Sequence, residues 1–77
     1  MAGLTYVQIA DDLQRRIWAG DYPLGTAIPS YRDLSRIYRK SVSTVQRAVG
    51  LLEDRRVCAG QPGRGVFVVR RRRPLGR

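Results

Sequence analysis

The sequence predicts a mainly α domain, in which three helices are followed by a small β-hairpin. Apolar residues recur at helical spacing in three segments, and a serine or threonine that can cap a helix precedes each of them. Two short runs rich in valine then flank a glycine-rich stretch, a pattern typical of a hairpin. A chain of 77 residues has room for one such domain with a single core.

The first helix is predicted to begin after Thr5 and to end at Gly20. Its apolar stripe consists of Tyr6, Ile9, Ala10, Leu13 and Ile17. Trp18 lies off this stripe and is expected to be half-buried at the helix end. Two prolines and a glycine exclude a helix between residues 21 and 29, where Thr26–Ile28 are expected to form a short edge strand.

The second helix is predicted to follow the cap Ser30, and the third to follow the cap Ser41 after a turn of only two residues. The buried side of the second helix is predicted to contain Leu34, Ile37 and Tyr38. The buried stripe of the third consists of Val45, Ala48, Val49 and Leu52, and its outer face of Ser43, Gln46, Arg47 and Gly50. This arrangement predicts a helix-turn-helix whose second helix enters a DNA major groove, although the third segment alone also fits an ordinary surface helix.

The hairpin is predicted from the strands Val57–Ala59 and Val66–Val69, joined by Gly60–Gly65. Within the loop Arg64 stands between two glycines, where its guanidinium could enter a narrow groove or bind phosphate. The alternative interpretation is that the glycines only allow the turn to adopt positive φ angles. The domain is therefore expected to span residues 1–69, with residues 70–77 as a mobile basic tail or the start of a linker.

Composition favours a polyanionic partner. Fifteen Lys plus Arg against six Asp plus Glu give a net charge of +9, and no acidic residue follows Asp54. With one cysteine and no histidine, the chain offers no disulfide framework, no ordinary zinc site and no histidine base, so we expect no metal, no cofactor and no enzymatic activity. It contains no apolar run of membrane-spanning length and no signal-peptide core, so no membrane partner and a cytoplasmic location are expected.

Four motifs follow one another along the chain. They are Tyr6-x-x-Ile9, Ile28-Pro29-Ser30-x-Arg32-x-Leu34, Ser41-x-x-Thr44-Val45-x-Arg47-Ala48-Val49 and Gly63-Arg64-Gly65-Val66-Phe67-Val68. In this order and spacing they resemble the N-terminal winged helix-turn-helix domain of the GntR family of bacterial transcription regulators. The resemblance extends from about Tyr6 to Val69 and implies three helices plus a wing.

The resemblance also implies roles for residues that hold the DNA backbone or address the minor groove. It places Arg32 at a phosphate or a base edge, and Ser41 and Thr44 at the backbone. It places Arg64 with Gly65, in the wing, at the minor groove.

The resemblance implies that Gln46 and Arg47 face the major groove. The helical wheel also places both residues on the outer side of the third helix. The chain departs from the family in two places, since Arg39-Lys40 stand where a Gly-Val pair is usual, and Val42 where a basic residue is usual. Without that basic residue, base choice is expected to depend on Gln46, Arg47 and Ser43.

The resemblance implies sequence-specific binding of double-stranded DNA by a homodimeric repressor on a pseudo-palindromic operator. Members normally continue into a C-terminal domain that binds a small effector and forms the dimer, so an effector is expected only through such a domain, outside this chain. Short GntR-type repressors that control plasmid transfer genes offer one comparison. The alternatives are a nonspecific or architectural nucleic-acid binder and a protein-interaction module that uses the fold as a scaffold.

Overall fold

The computed structural model describes residues 4–70, which form three helices followed by a two-stranded antiparallel sheet. The helices are α1 (Tyr6–Trp18), α2 (Tyr31–Tyr38) and α3 (Val42–Asp54), and the strands are β1 (Cys58–Gln61) and β2 (Gly65–Val68). This order confirms the predicted mainly α fold with a C-terminal hairpin. Within the described part of the chain, no helix is long and apolar enough to cross a membrane. The predicted tail lies outside the described residues from residue 71 onward.

The predicted ends of α1 and the start of α2 are confirmed by their caps. The Thr5 hydroxyl accepts from the Gln8 N–H at 3.2 Å, and the Gln8 side chain accepts from the Thr5 N–H at 2.8 Å, which completes a capping box. The Ser30 hydroxyl accepts from the Asp33 N–H at 3.1 Å in the same way. Gly20 has a φ of 93°, a left-handed conformation that ends α1 and that glycine adopts without steric cost.

A single hydrophobic core lies where α3 packs against α1, α2 and β1. It consists of Ile9, Ala10, Leu13, Ile17, Ile28, Leu34, Val45, Ala48, Val49, Leu52, Val57, Cys58 and Val68. Both predicted helical stripes of α1 and α3 are buried in it, apart from the half-buried Tyr6. Trp18 packs half-buried against its edge at the end of α1, as predicted. Burial raises the pKa of the Cys58 thiol to about 11, so this cysteine is an unreactive core residue.

The predicted buried side of α2 is wrong at one position. Ile37 is 55% exposed, whereas Leu34 is fully buried and Tyr38 is half-buried. On this short helix Tyr31, Leu34 and Tyr38 form the stripe that faces the core, which places Ile37 beyond its edge. The Tyr38 hydroxyl donates to Asp12 Oδ2 at 2.6 Å and thereby links α2 to α1.

The hairpin is longer toward its tip than the sequence predicted. β1 and β2 pair from Cys58 with Val68 to Gln61 with Gly65, so the ladder includes residues that were expected in the loop. The expected edge strand at Thr26–Ile28 is reduced to a single bridge between Ala27 and Phe67. Even so, backbone hydrogen bonds of 2.8–2.9 Å join residues 25–28 to the free edge of β2. The segment before α2 is therefore fixed to the wing.

Candidate nucleic-acid interface

The turn between α2 and α3 is held by hydrogen bonds to one serine. The Arg39 and Lys40 N–H groups donate to the Ser35 carbonyl, and the Ser35 hydroxyl donates to the Lys40 carbonyl. Arg39 itself adopts φ 56° and ψ 46°, the left-handed conformation in which a glycine is usual. The turn therefore fixes the direction of α3 relative to α2, although it contains no glycine.

Three hydroxyl groups meet at the start of α3. Ser41 is the predicted N-cap, and its Oγ accepts from the Thr44 N–H at 3.2 Å. The same Oγ lies 3.2 Å from Ser43 Oγ and 2.9 Å from Thr44 Oγ1. Hydroxyls and backbone N–H groups at a helix N-terminus suit a phosphate, because the helix dipole adds partial positive charge there.

The outer face of α3 is polar, as the helical wheel predicted. Ser43, Gln46 and Arg47 are exposed, whereas Thr44 and Gly50 are half-buried. A helix whose outer face bears short polar groups can lie in a major groove and bring an amide to the base edges. The structure therefore brings together the residues predicted for the major groove, while their contacts with DNA stay a prediction.

Arg47 has a partner that the sequence did not reveal. Its guanidinium carbon lies 5.6 Å from the centroid of the Tyr6 ring, within the range of a cation–π interaction. Arg47 thus lies at the edge of α3 that faces α1, and Gln46 lies on the other side of the exposed face. No local pattern connects these two residues, because only the packing of α1 against α3 brings them together.

Several cations near α3 and the wing form no ion pair with a carboxylate of residues 4–70. None of the ion pairs formed between residues 4 and 70 involves Arg32, Arg39, Lys40 or Arg64, which we call the open cations. Arg32 is exposed in the first turn of α2, and Arg39 is exposed in the turn before α3. Cations without a protein partner are available to DNA phosphates.

The wing presents Arg64 at its tip. Gly63 and Gly65 flank it with φ angles of 75° and 120°, and the Arg64 N–H donates to the Gln61 carbonyl at 2.9 Å. A Cβ added to Gly65 would meet no atom within 4 Å, so this glycine is required by its backbone conformation and not by lack of space. Arg64 is exposed, as the prediction of a DNA contact requires.

Comparison with known proteins identifies the family. The family model "Bacterial regulatory proteins, gntR family" matches residues 5–68. The chain is 40% identical, over 67 residues, to the uncharacterized HTH-type transcriptional regulator YjiR of Escherichia coli (strain K12), covering 87% of this chain and 14% of that protein. The chain spans between 14% and 26% of the length of the curated relatives it matches.

Solved structures share the fold. A GntR family transcriptional regulator from Listeria monocytogenes superposes with a TM-score of 0.79 at 28% identity, covering 83% of this chain and 56% of that one. AraR(DBD) in complex with operator ORR3 superposes with a TM-score of 0.79 at 25% identity, covering 83% of this chain and 77% of that one. The fold, the family model and the relatives agree: the chain belongs to the gntR family of bacterial transcription regulators and contains its winged-helix DNA-binding domain.

Proposed function

We propose that this domain binds a specific double-stranded DNA operator and represses transcription as a dimer. The observation that carries the proposal is the start of α3, where the exposed side chain of Gln46 follows the hydroxyl cluster of Ser41, Ser43 and Thr44. The groups that we propose to read bases and to bind phosphate are thus adjacent on the exposed face of α3. The AraR(DBD) complex with operator ORR3 supports the same use of a related domain.

In the proposed complex α3 lies in the major groove. Gln46 can form two hydrogen bonds with an adenine through its amide, and Ser43 can bind a base edge or a phosphate. Ser41 and Thr44 hold the backbone beside the helix N-terminus, and Arg32 contacts a phosphate from α2. Arg47 contacts a further base from the side of α3 that faces α1. In the absence of DNA its guanidinium lies over the Tyr6 ring.

The wing contributes Arg64 with Gly65 from a second direction. A guanidinium between two glycines can approach a narrow minor groove, whose negative potential attracts it. Two domains would bind half-sites about 34–36 Å apart, the length of one helical turn, on a pseudo-palindrome. Plasmid transfer genes stay one candidate set of targets, and mapping of the sites bound in cells would identify the genes concerned.

Selection of bound fragments from random duplex DNA tests the proposal directly. We expect a recurring sequence with two inverted half-sites spaced by one helical turn. A reporter placed under that operator should lose expression when this protein is expressed in the same cells. Absence of any recurring sequence, together with equal affinity for selected and scrambled duplexes at physiological salt, would favour a nonspecific architectural binder, which the net charge of +9 also allows.

Gln46→Ala tests base readout by α3. We expect the variant to lose about 1–3 kcal/mol of discrimination at one base pair per half-site, and to retain its affinity for scrambled DNA. Gln14→Ala is the matched control, because it removes the same side chain from α1, where the amide accepts from Arg55. Equal losses on selected and scrambled DNA in Gln46→Ala would contradict readout by α3.

A further inference from the structure

Val42 is an exposed apolar residue at the start of α3. It is the first residue of the helix, its residue surface is 43% exposed, and it is absent from the hydrophobic core. Its neighbours Ser41 and Ser43 are polar and also exposed. A β-branched alkyl side chain has no donor or acceptor, so Val42 can recognise only an apolar group on DNA.

The position of Val42 places it beside the proposed base-reading residue. Val42 and Gln46 are four residues apart on α3, so their side chains lie on the same side of the helix, one above the other. Four residues rise about 6 Å along a helix, which is close to the length of two base-pair steps of about 3.4 Å. When Gln46 contacts a base, Val42 therefore lies within one or two base pairs of it.

The major groove displays only one apolar group, the 5-methyl group of thymine. An alkyl side chain placed against the edge of guanine, adenine or cytosine would displace water without replacing its hydrogen bonds. Against thymine the same side chain gains a contact between apolar groups. We propose that Val42 contacts a thymine 5-methyl group one or two base pairs from the base that Gln46 contacts, and thereby selects thymine at that position. This inference rests on the proposed function.

The test replaces each thymine of the selected operator in turn with deoxyuridine, which removes only the methyl group. We expect one position per half-site at which wild-type affinity falls about fourfold, the equivalent of one buried methyl group. In Val42→Ala that loss should become smaller, because alanine keeps only one methyl group. An operator with 5-methylcytosine at the same position should bind wild-type protein more tightly than an operator with cytosine there. This comparison tests the methyl contact without any protein variant.

Val7→Ala is the matched control, since Val7 is 40% exposed on α1. We expect this variant to keep the full deoxyuridine penalty. If an operator is selected but no thymine shows a penalty that depends on Val42, the inference is overturned and the proposed function stands. If no sequence is selected, both are overturned.

Discussion

Charged side chains on α1 pair with partners from the protein itself, whereas the open cations near α3 and in the wing pair with no carboxylate of residues 4–70. Asp12 accepts from Tyr38 at 2.6 Å and from Arg16 at 2.9 Å, and it also pairs with Arg15. A second link, from Arg55 to Asp11 at 2.9 Å, joins the C-terminal end of α3 to α1. We call these residues, with Gln14, the α1 network. Two of its carboxylates join α1 to another helix, Asp12 through Tyr38 of α2 and Asp11 through Arg55 at the end of α3.

The difference predicts that the attraction of this domain to DNA depends on where its charges lie as well as on their total. Each pair in the α1 network neutralises its own field at close range, so these arginines contribute little attraction to a distant polyanion. An open cation that contacts a DNA phosphate releases counterions condensed on the DNA, which favours binding at low salt. Removing an α1 partner should therefore reduce stability, and removing an open cation should reduce DNA affinity.

The largest expected effect comes from breaking the centre of the α1 network. Asp12→Ala removes the acceptor for Tyr38 and Arg16, and the Tyr38 hydroxyl is only partly accessible to water. Because hydrogen bonds to charged groups are the stronger ones, we expect the free energy of unfolding to fall by about 1.5–3 kcal/mol in denaturant titrations. Tyr38→Phe, which removes one hydroxyl, should cost about 1 kcal/mol. If the folded Asp12→Ala domain also lost DNA affinity, the α1 network would not serve stability alone, and the contrast with the open cations would be wrong.

The Asp12 carboxylate should make the stability of the domain depend on pH. Burial opposes ionisation of Asp12, but the hydrogen bonds from Tyr38 and Arg16 outweigh it and lower the pKa of this carboxyl below its ordinary value of 3.8. A lowered pKa in the folded state stabilises the domain at pH above the unfolded-state value. That contribution is lost as the pH falls through the folded-state pKa. Stability should therefore decrease below about pH 4, and less steeply in Asp12→Asn, when unfolding is followed against pH.

The sequence predicted the parts of the fold that depend on local physics. The caps Thr5, Ser30 and Ser41 and the buried stripe of α3 could be found because capping and helical periodicity act over a few residues. Ile37 was misplaced because a helix of eight residues has too few turns to define its buried face.

Contacts between distant segments could not be found in this way. Asp12 lies outside the apolar stripe predicted for α1, but the packing of α2 places the Tyr38 hydroxyl against it. In the candidate site the exposed positions Ser43 and Gln46 were predicted correctly from the helical wheel, whereas the contact of Arg47 with Tyr6 depends on how α1 crosses α3. Local patterns therefore give the face of a helix, and tertiary packing decides which of its side chains are engaged.

Substitutions of Arg39 test whether the open cations bind phosphate. This residue is exposed and also has an unfavourable backbone conformation. Its φ of 56° strains any residue with a Cβ, so we expect Arg39→Gly to raise the free energy of unfolding by about 1 kcal/mol. Arg39→Ala should give no such gain, since alanine also has a Cβ. Both variants should bind DNA more weakly and reduce the slope of log affinity against log salt by about one. Unchanged slopes in both would remove Arg39 from the phosphate-binding set.

The smallest expected effect decides to which group Arg47 belongs, since it contacts α1 through Tyr6 yet lies on the exposed face of α3. Tyr6→Leu keeps an apolar side chain but removes the aromatic ring, so we expect a loss of about 0.5–1 kcal/mol in stability. If Arg47 must leave that ring to contact a base, wild-type protein loses the cation–π interaction when it binds, and Tyr6→Leu does not. The variant should then bind the selected operator about twofold to fivefold more tightly, which corresponds to about 0.5–1 kcal/mol. A double-mutant cycle with Arg47→Ala isolates this coupling in both measurements. Operator affinity unchanged in Tyr6→Leu and in Arg47→Ala would instead assign Arg47 to the α1 network, and base choice would then depend on Gln46, Ser43 and Val42.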